Sequence, residues 1–527
     1  DTARGVVDKT IALPTADPRA VALLPDGDLY VAHMAAGRFS RVDVAAGTAR
    51  IVDVTTHNDF GPRLSAEHLR SLTVDPERGT VMVAHSQANE DTVRAPIGDP
   101  NAPPVDGSAC GYSGCPTEVG AVVPGVTEVD PADDAVVVPQ VDVQDEGVRV
   151  GGCFDCDAVA MPGGGFGTQA APPSVLNPFD GRFGGVQLSN PTVLALFDGG
   201  RGQLVVHMGT RNVLMLRRDL KGRAADVVGV VKVGAGAQGI ALRHDGEAAY
   251  VWNQFDGTIS EIPLPVVADT QKENRFADGA ADAATIAEFQ PVAEYAADTF
   301  AVVEDALDAN ASLGRRMFHD ATDSRISAQG TVSCASCHPD GRADGRTWQF
   351  TFGPRNTPQL GGDILDTAPF HWPGDVPTVA ALNDMTVLPF MGGSGLDAAS
   401  FQFVAAYIGT IRQAPSTTAV RDLNALERRG AEVFFSEATQ CGTCHAGAHF
   451  TDNVSYDVGT QANARDIRTF QTPVLHGLHR SAPYGHDGKY PTMRALVDGL
   501  VRTDKMGKGS HLGNDDVEAL VAYLNTL

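Results

Sequence analysis

Two five-residue stretches constrain this chain more than any other feature in it. Its eight cysteines fall into four close pairs, Cys110/Cys115, Cys153/Cys156, Cys334/Cys337 and Cys441/Cys444, and the last two pairs are each followed at once by histidine. The runs Cys334-Ala-Ser-Cys337-His338 and Cys441-Gly-Thr-Cys444-His445 carry the attachment signature of c-type haem. The chemistry requires this spacing. Two thiols about one helical turn apart add across two vinyl groups, and the adjoining imidazole turns under the ring to ligate iron. Chance supplies about 0.003 such pentapeptides in a chain of this composition, so two are not accidental. A zinc ribbon fails on spacing, since its knuckles lie some 15–20 residues apart and these lie about a hundred apart. A thioredoxin-type disulfide leaves both histidines unexplained. Two covalent haems are expected, with His338 and His445 as their proximal iron ligands.

The other two pairs lie in Gly/Pro-rich sequence with no histidine nearby. Cys110, Cys115, Cys153 and Cys156 are expected to form one or two disulfides stapling a long loop, a metal site built from all four being the alternative. Haem attachment and disulfides together point outside the cytoplasm, to the periplasm. The chain has 527 residues, and 40 Lys+Arg against 65 Asp+Glu give a net charge of −25. Such a surface is repelled by phosphate backbones and anionic lipid, so nucleic-acid and membrane-surface partners drop to the bottom of the list. No run of about 18 apolar residues is present, so no membrane span is expected. A chain beginning at Asp1 reads as a mature product whose targeting segment has been removed.

The two halves differ in period. From Arg19 to about Leu264, short β-branched runs alternate with Asp-Gly or Gly-containing turns, as in many antiparallel strands. The run from Leu24 to Val44 returns as Arg243 to Ile262, and weaker copies follow Val74 and Leu204. Recurring strand pairs of this kind read as β-propeller blades, and the unit resembles the Tyr-Val-rich (YVTN-type) propeller repeats of secreted proteins. His33, His85 and His207 recur at one strand position, either packed between strands or lining a central channel as ligands. Residues from about 89 to 191 are expected as one excursion from the repeats, and Ala268 to Asn310 as linker or closure of the last blade. After Asn310 the period moves towards 3.6. Helices are expected around Arg316 and Met317, from Phe401 to Ile411, and from an N-cap at Asn514 to Leu524. The expected architecture is multidomain: an all-β propeller-like domain over 1–308, then two mainly α c-type haem domains over 309–420 and 421–527.

From about Ser312 to Leu527 the chain resembles the bacterial di-haem cytochrome c peroxidases and their MauG-like relatives. The resemblance rests on Leu313-Gly-Arg-Arg-Met-Phe318, Gly353-Pro-Arg-Asn-Thr-Pro358, Phe370-His-Trp372, Arg429-Gly-Ala-Glu-Val-Phe434, Phe470-Gln-Thr-Pro473 and Ala482-Pro-Tyr-Gly-His-Asp-Gly488, in the family's order. It implies that the His338 haem meets peroxide and that the His445 haem stores and relays electrons. It further implies Met506 as the relay haem's second ligand, with His511 as rival, and Trp372 as an indole between the haems. A calcium ion is implied at Asn356, Ser481 and Pro483.

The family's removable distal histidine is replaced by Trp348, and its distal glutamine and glutamate have no counterpart between Pro373 and Ser400. His371, Asp375 and Asp384 are the remaining distal-pocket candidates. The leading expectation is a di-haem oxidoreductase reducing hydrogen peroxide with electrons from a small donor protein, such as a mono-haem cytochrome c or a cupredoxin. A MauG-like oxidase or oxygenase acting on a protein or organic substrate held at the propeller is the second reading. A non-enzymatic electron-transfer or sensor module is the third.

Overall fold

The computed structural model describes residues 7–15, 17–34, 37–54, 64–89, 122–139, 182–183, 186–218, 224–265, 294–327, 330, 332–350, 352–413 and 422–527. The four cysteines outside the haem motifs lie outside the described residues, and so does their expected pairing.

The N-terminal half builds antiparallel sheets from the turns seen in the sequence. At Leu24-Pro-Asp-Gly27, Gly27 takes φ +91°, a conformation open to glycine, and the Asp28 amide donates to Asp26 Oδ1 at 3.0 Å. This turn joins Pro18–Leu23 to Leu29–His33, and Arg38–Asp43 and Thr48–Asp53 complete a four-stranded meander. A second sheet contains Leu64–Glu67, Thr73–Val74, Val81–Asn89, Val122–Asp130 and Ala135–Pro139. The third runs through Pro191–Phe197, Gly202–His207, Asn212–Arg218 and Ala224–Lys232, and the fourth through Ala237–Leu242, Ala248–Asn253 and Thr258–Pro263. Gly202–His207 is buried at every residue, so both of its faces are covered.

Two copies of the repeat read from the sequence share one register. His33 pairs with Arg38 and Asn253 with Thr258, and each reaches the serine two residues further on, Ser40 at 2.7 Å and Ser260 at 2.8 Å. His85 makes the same clip to Thr127 at 2.7 Å. His207 has Leu214 at the equivalent place, and burial pushes its imidazole down to about 3. These histidines are buried strand residues. Among the described residues no group of three His, Cys, Asp or Glu side chains could hold a metal.

One expectation changes, and one open alternative is narrowed. The excursion over 89–191 is not continuous, because Val122–Asp130 and Ala135–Pro139 return to pair within the second sheet. Their Val-Thr-Glu-Val alternation was masked by Pro124 and Gly125. Of the stretch expected as linker or blade closure, the described strands extend sheets: Glu294–Ala296 adds in parallel to the third and Asp298–Ala301 antiparallel to the fourth.

The C-terminal region is helical. Helix α1, Ala309–His319, is capped by Asp308, which accepts from the amides of Asn310 and Ala311. It packs on α3, Ala398–Ile408, around Phe318, Phe401, Val404 and Tyr407. The first haem motif forms the one-turn α2, Cys334–Cys337. Helix α4, Ala425–Phe434, carries a capping box between Asn424 and Glu427. The second motif forms α5, Cys441–Cys444, and α6 is Met493–Leu496. Helix α7, Asn514–Leu524, packs on α4, and its N-cap is Gly513, one residue earlier than expected. Among the described residues no helix is long and apolar enough to cross a membrane.

The sheets dock on the first helical unit through charged and backbone contacts. The Ala321 amide donates to Gly209 O at 2.9 Å, Arg316 pairs with Asp256 at 2.9 Å, and Asp340 is held by Arg19 at 3.0 Å and Arg70 at 3.1 Å. The first helical unit is therefore packed against the β region.

Candidate functional site

Each haem motif is shaped by local hydrogen bonds. The Ser333 amide donates to Ser336 Oγ at 3.0 Å, starting α2, and the His338 amide closes the turn on Cys334 O at 2.9 Å. The His445 amide does the same on Cys441 O at 3.0 Å. Both thiols of each pair therefore sit one turn apart, and all four are unbridged. The buried His445 places Nδ1 3.0 Å from Phe450 O, so that N–H donates there and Nε2 is left as the ligand atom. Burial pushes His338 down to about 4, which keeps it the neutral imidazole that iron ligation needs.

Both motifs line one cavity of about 1160 Å³, and Cys334, Cys337, His338, Cys441, Cys444 and His445 all face it. The volume exceeds the range of about 300–1,000 Å³ usual for one small ligand. On its wall, Arg355 Nη2 and Gln471 Nε2 are buried donors without an acceptor among the described residues. Anionic carboxylates of a haem would satisfy such donors. Free thiols, neutral imidazoles and orphaned donors together fit covalently held haem.

The cavity gathers most of the residues expected from the sequence. Trp372 lines it, donates its indole N–H to Asn356 O at 2.7 Å, and lies edge-on to His486 with centroids 6.3 Å apart. Met506 lines it too. Its loop lies against the second motif: the Lys508 amide donates to Thr439 O at 2.8 Å, and Gly507 approaches Cys441. His511 is exposed and does not line the cavity, so the rival ligand loses its geometric basis.

His371, Asp375 and Asp384 also face the cavity. His371, at φ +67°, sits between Asp375 Oδ1 at 3.4 Å and Thr386 Oγ1 at 3.3 Å. The imidazole beside it draws Asp375 below the usual carboxylate range. Trp348 lines the cavity, but its N–H is committed to Asp344 Oδ2 at 2.9 Å and Thr357 Oγ1 at 3.1 Å. Asn356 is set against the Pro483 carbonyl and lies 3.4 Å from that of Gly485, with its own Oδ1 orphaned. Exchanging the amide O and N would turn three oxygens towards one point. The Ser481 hydroxyl donates instead to Gly477 O at 2.9 Å.

Three features were missed in the sequence. A buried chain joins Arg355 to Asp466 at 2.9 Å and Asp466 to His486 at 3.0 Å, with His486 stacked on Phe470 at 3.7 Å. Phe350, Phe352 and Phe390 form an aromatic trio on the cavity wall, with centroids 5.0–5.8 Å apart. Glu67, from the second sheet, is 3% exposed and lies 2.6 Å from Arg346, and burial holds its carboxyl well above the usual range. Arg355, Phe470 and His486 stood in quoted motifs and Phe-Thr-Phe was visible at 350–352, but Asp466, Phe390 and Glu67 carried no signal.

This arrangement fits a site for covalently held c-type haem. Residues 308–410 match the family described as di-haem cytochrome c peroxidase. Three curated relatives each share 41% of this chain. They are the methylamine utilization protein MauG of Methylorubrum extorquens (26% identical, 77% of its length), the cytochrome c peroxidase Ccp of Escherichia coli (24%, 57%) and the hydrazine synthase subunit gamma of Kuenenia stuttgartiensis (23%, 76%). Through its C-terminal region the chain is similar to the di-haem cytochrome c peroxidases and MauG-like proteins.

Proposed function

We propose that this chain is a periplasmic di-haem oxidoreductase that activates hydrogen peroxide at the His338 haem with electrons relayed from the His445 haem. The observation carrying this reading is the single cavity that holds both motifs with Trp372 on its wall. When bound, the haems supply redox-active iron. The chain's own side chains hold and divide the roles. His338 and His445 would hold the two haem irons, and Trp372, fixed to Asn356 O, would offer an indole path between the two sites. Met506, a thioether, would fill the second ligand position of the relay haem and keep oxidant away from it. His371, held between Asp375 and Thr386 on the cavity wall, is the group assigned to accept and return a proton.

Calcium is proposed at Asn356 with the carbonyls of Ser481 and Pro483, since hard oxygen donors suit that ion. The antiparallel sheets are proposed as propeller blades, supported by the shared register of His33 and Asn253. The strong negative charge favours a basic donor, a mono-haem cytochrome c or a cupredoxin.

Low-temperature EPR of the oxidised and half-reduced protein tests the reading. A high-spin, five-coordinate haem is expected in at least one state, whereas two low-spin haems in both would reject an enzymatic role. A second reading, a MauG-like oxidase or oxygenase, is favoured by the Phe350, Phe352 and Phe390 trio and by the indole that replaces the distal histidine. Adding peroxide separates the two: turnover with a reduced cytochrome supports the peroxidase, and a long-lived oxidised state without donor turnover supports the oxidase. Replacing Met506 with alanine should lower the relay haem's potential, and an unchanged potential would reject the ligand assignment.

A further inference from the structure

We propose that Trp348 is an oxidisable side chain of the first haem site and that Asp344 accepts its indole proton. The inference rests on peroxide activation at that haem. Trp348 is 6% exposed, lines the haem cavity and packs in one apolar cluster with Cys337 and Phe350. Its N–H points 2.9 Å to the carboxylate of Asp344, which is itself 2% exposed. Trp372 faces the same cavity but donates to a backbone carbonyl, which cannot take up a proton. The two indoles are thus chemically unlike. Trp372 can pass an electron only by holding a cation, whereas Trp348 can lose an electron and a proton together.

The step balances as follows. Hydrogen peroxide takes two electrons and two solvent protons and leaves as two waters. One electron comes from the relay haem and one from the Trp348 indole, whose N–H proton moves along the hydrogen bond to Asp344. A neutral indolyl radical and a neutral carboxyl remain until the donor protein returns an electron. Burial pushes Asp344 up to about 6, against the pull of the Arg346 amide, Thr357 and Trp348, so it is largely a carboxylate at neutral pH. The charged groups facing it are Arg346, 5.4 Å from the indole centroid, and Glu67 beyond that guanidinium. Below about pH 6 the carboxyl is already protonated and the acceptor is lost.

The chain has three tryptophans, so the test is tractable. The holoprotein, labelled with indole-deuterated tryptophan, is mixed with peroxide and frozen, and EPR and haem absorption are read on the same samples. A tryptophan radical is expected in wild type and in Trp372→Phe, absent in Trp348→Phe, and severalfold weaker in Asp344→Asn, which keeps the indole and its packing. Its yield should fall through about pH 6 in wild type but not in Asp344→Asn. A radical of unchanged yield and hyperfine pattern in Trp348→Phe would overturn the inference while leaving peroxide activation intact. Haem bands that do not respond to peroxide would overturn the proposed function instead. Flash oxidation with a ruthenium photosensitiser then decides Trp348 on its own, by the presence or absence of the same radical.

Discussion

Alanine at both Cys441 and Cys444 is expected to remove one of two covalent haems and to unfold the helical region around it. The thiols supply the only bonds that fix that haem through the cell's assembly, while the Cys334/Cys337 pair is untouched. The structural loss follows from which residues do double service. Phe434, Leu475, Leu478, Leu520 and Leu524 form the core of the second helical region and also line the haem cavity. Without the ring they face a hole. At roughly 24 cal/mol per Å³ of unfilled volume, half of the 1160 Å³ cavity corresponds to about 14 kcal/mol. Water entry makes this an upper bound, yet it matches the whole stability of a domain, about 5–15 kcal/mol. Covalent haem per chain, measured as pyridine haemochrome after denaturing gel separation, should fall from two to one, and protease should cut selectively after residue 421. A ratio that stays at two would reject the attachment assignment.

Alanine at Gly314 or Gly430 should destabilise the protein by about 2–3 kcal/mol each, against the usual sign. In an ordinary helix interior this change stabilises by about 1 kcal/mol. Here a Cβ on Gly314 would lie 1.8 Å from Phe403 O, and one on Gly430 would lie 1.9 Å from Ala519 O. Both obstacles are backbone, which no rotamer change can move. The helices α1 and α3, and likewise α4 and α7, must separate, and overpacking of this kind costs about 1–3 kcal/mol or more. The two glycines occupy matching places, before Met317-Phe318 and before Val433-Phe434, so the two haem regions repeat one helix crossing. Urea unfolding followed by far-ultraviolet circular dichroism measures the effect. Gly239→Ala is the comparison, because a methyl there meets nothing nearer than 3.5 Å. An unchanged or raised midpoint for Gly430→Ala would contradict the close crossing.

These outcomes separate what was visible in the chain from what was not. The attachment motifs, α1 around Met317, the terminal helix to Leu524 and the strand repeat were all legible, since each depends on neighbours within a few residues. The return of Val122–Asp130 to the second sheet was not, because Pro124 and Gly125 break the alternation while long-range pairing to Val81–Asn89 restores it. Asp466 carried no motif, and its worth comes from Arg355 and His486, far away in sequence.

By itself the sequence determined the cofactor chemistry, since two thiols and an imidazole must be adjacent in the chain to hold a haem at all. It also determined that one half would be strands and the other helices, since period follows from local geometry. Only the tertiary structure decided which groups surround the iron sites. It brought both motifs to one cavity, set Met506 rather than His511 on its wall, and paired Glu67 and Arg70 from the β region with Arg346 and Asp340 beyond the first motif. It also joined the Trp348 indole to a buried carboxylate. Burial and charge pairing are properties of the packed chain, and no spacing rule encodes them.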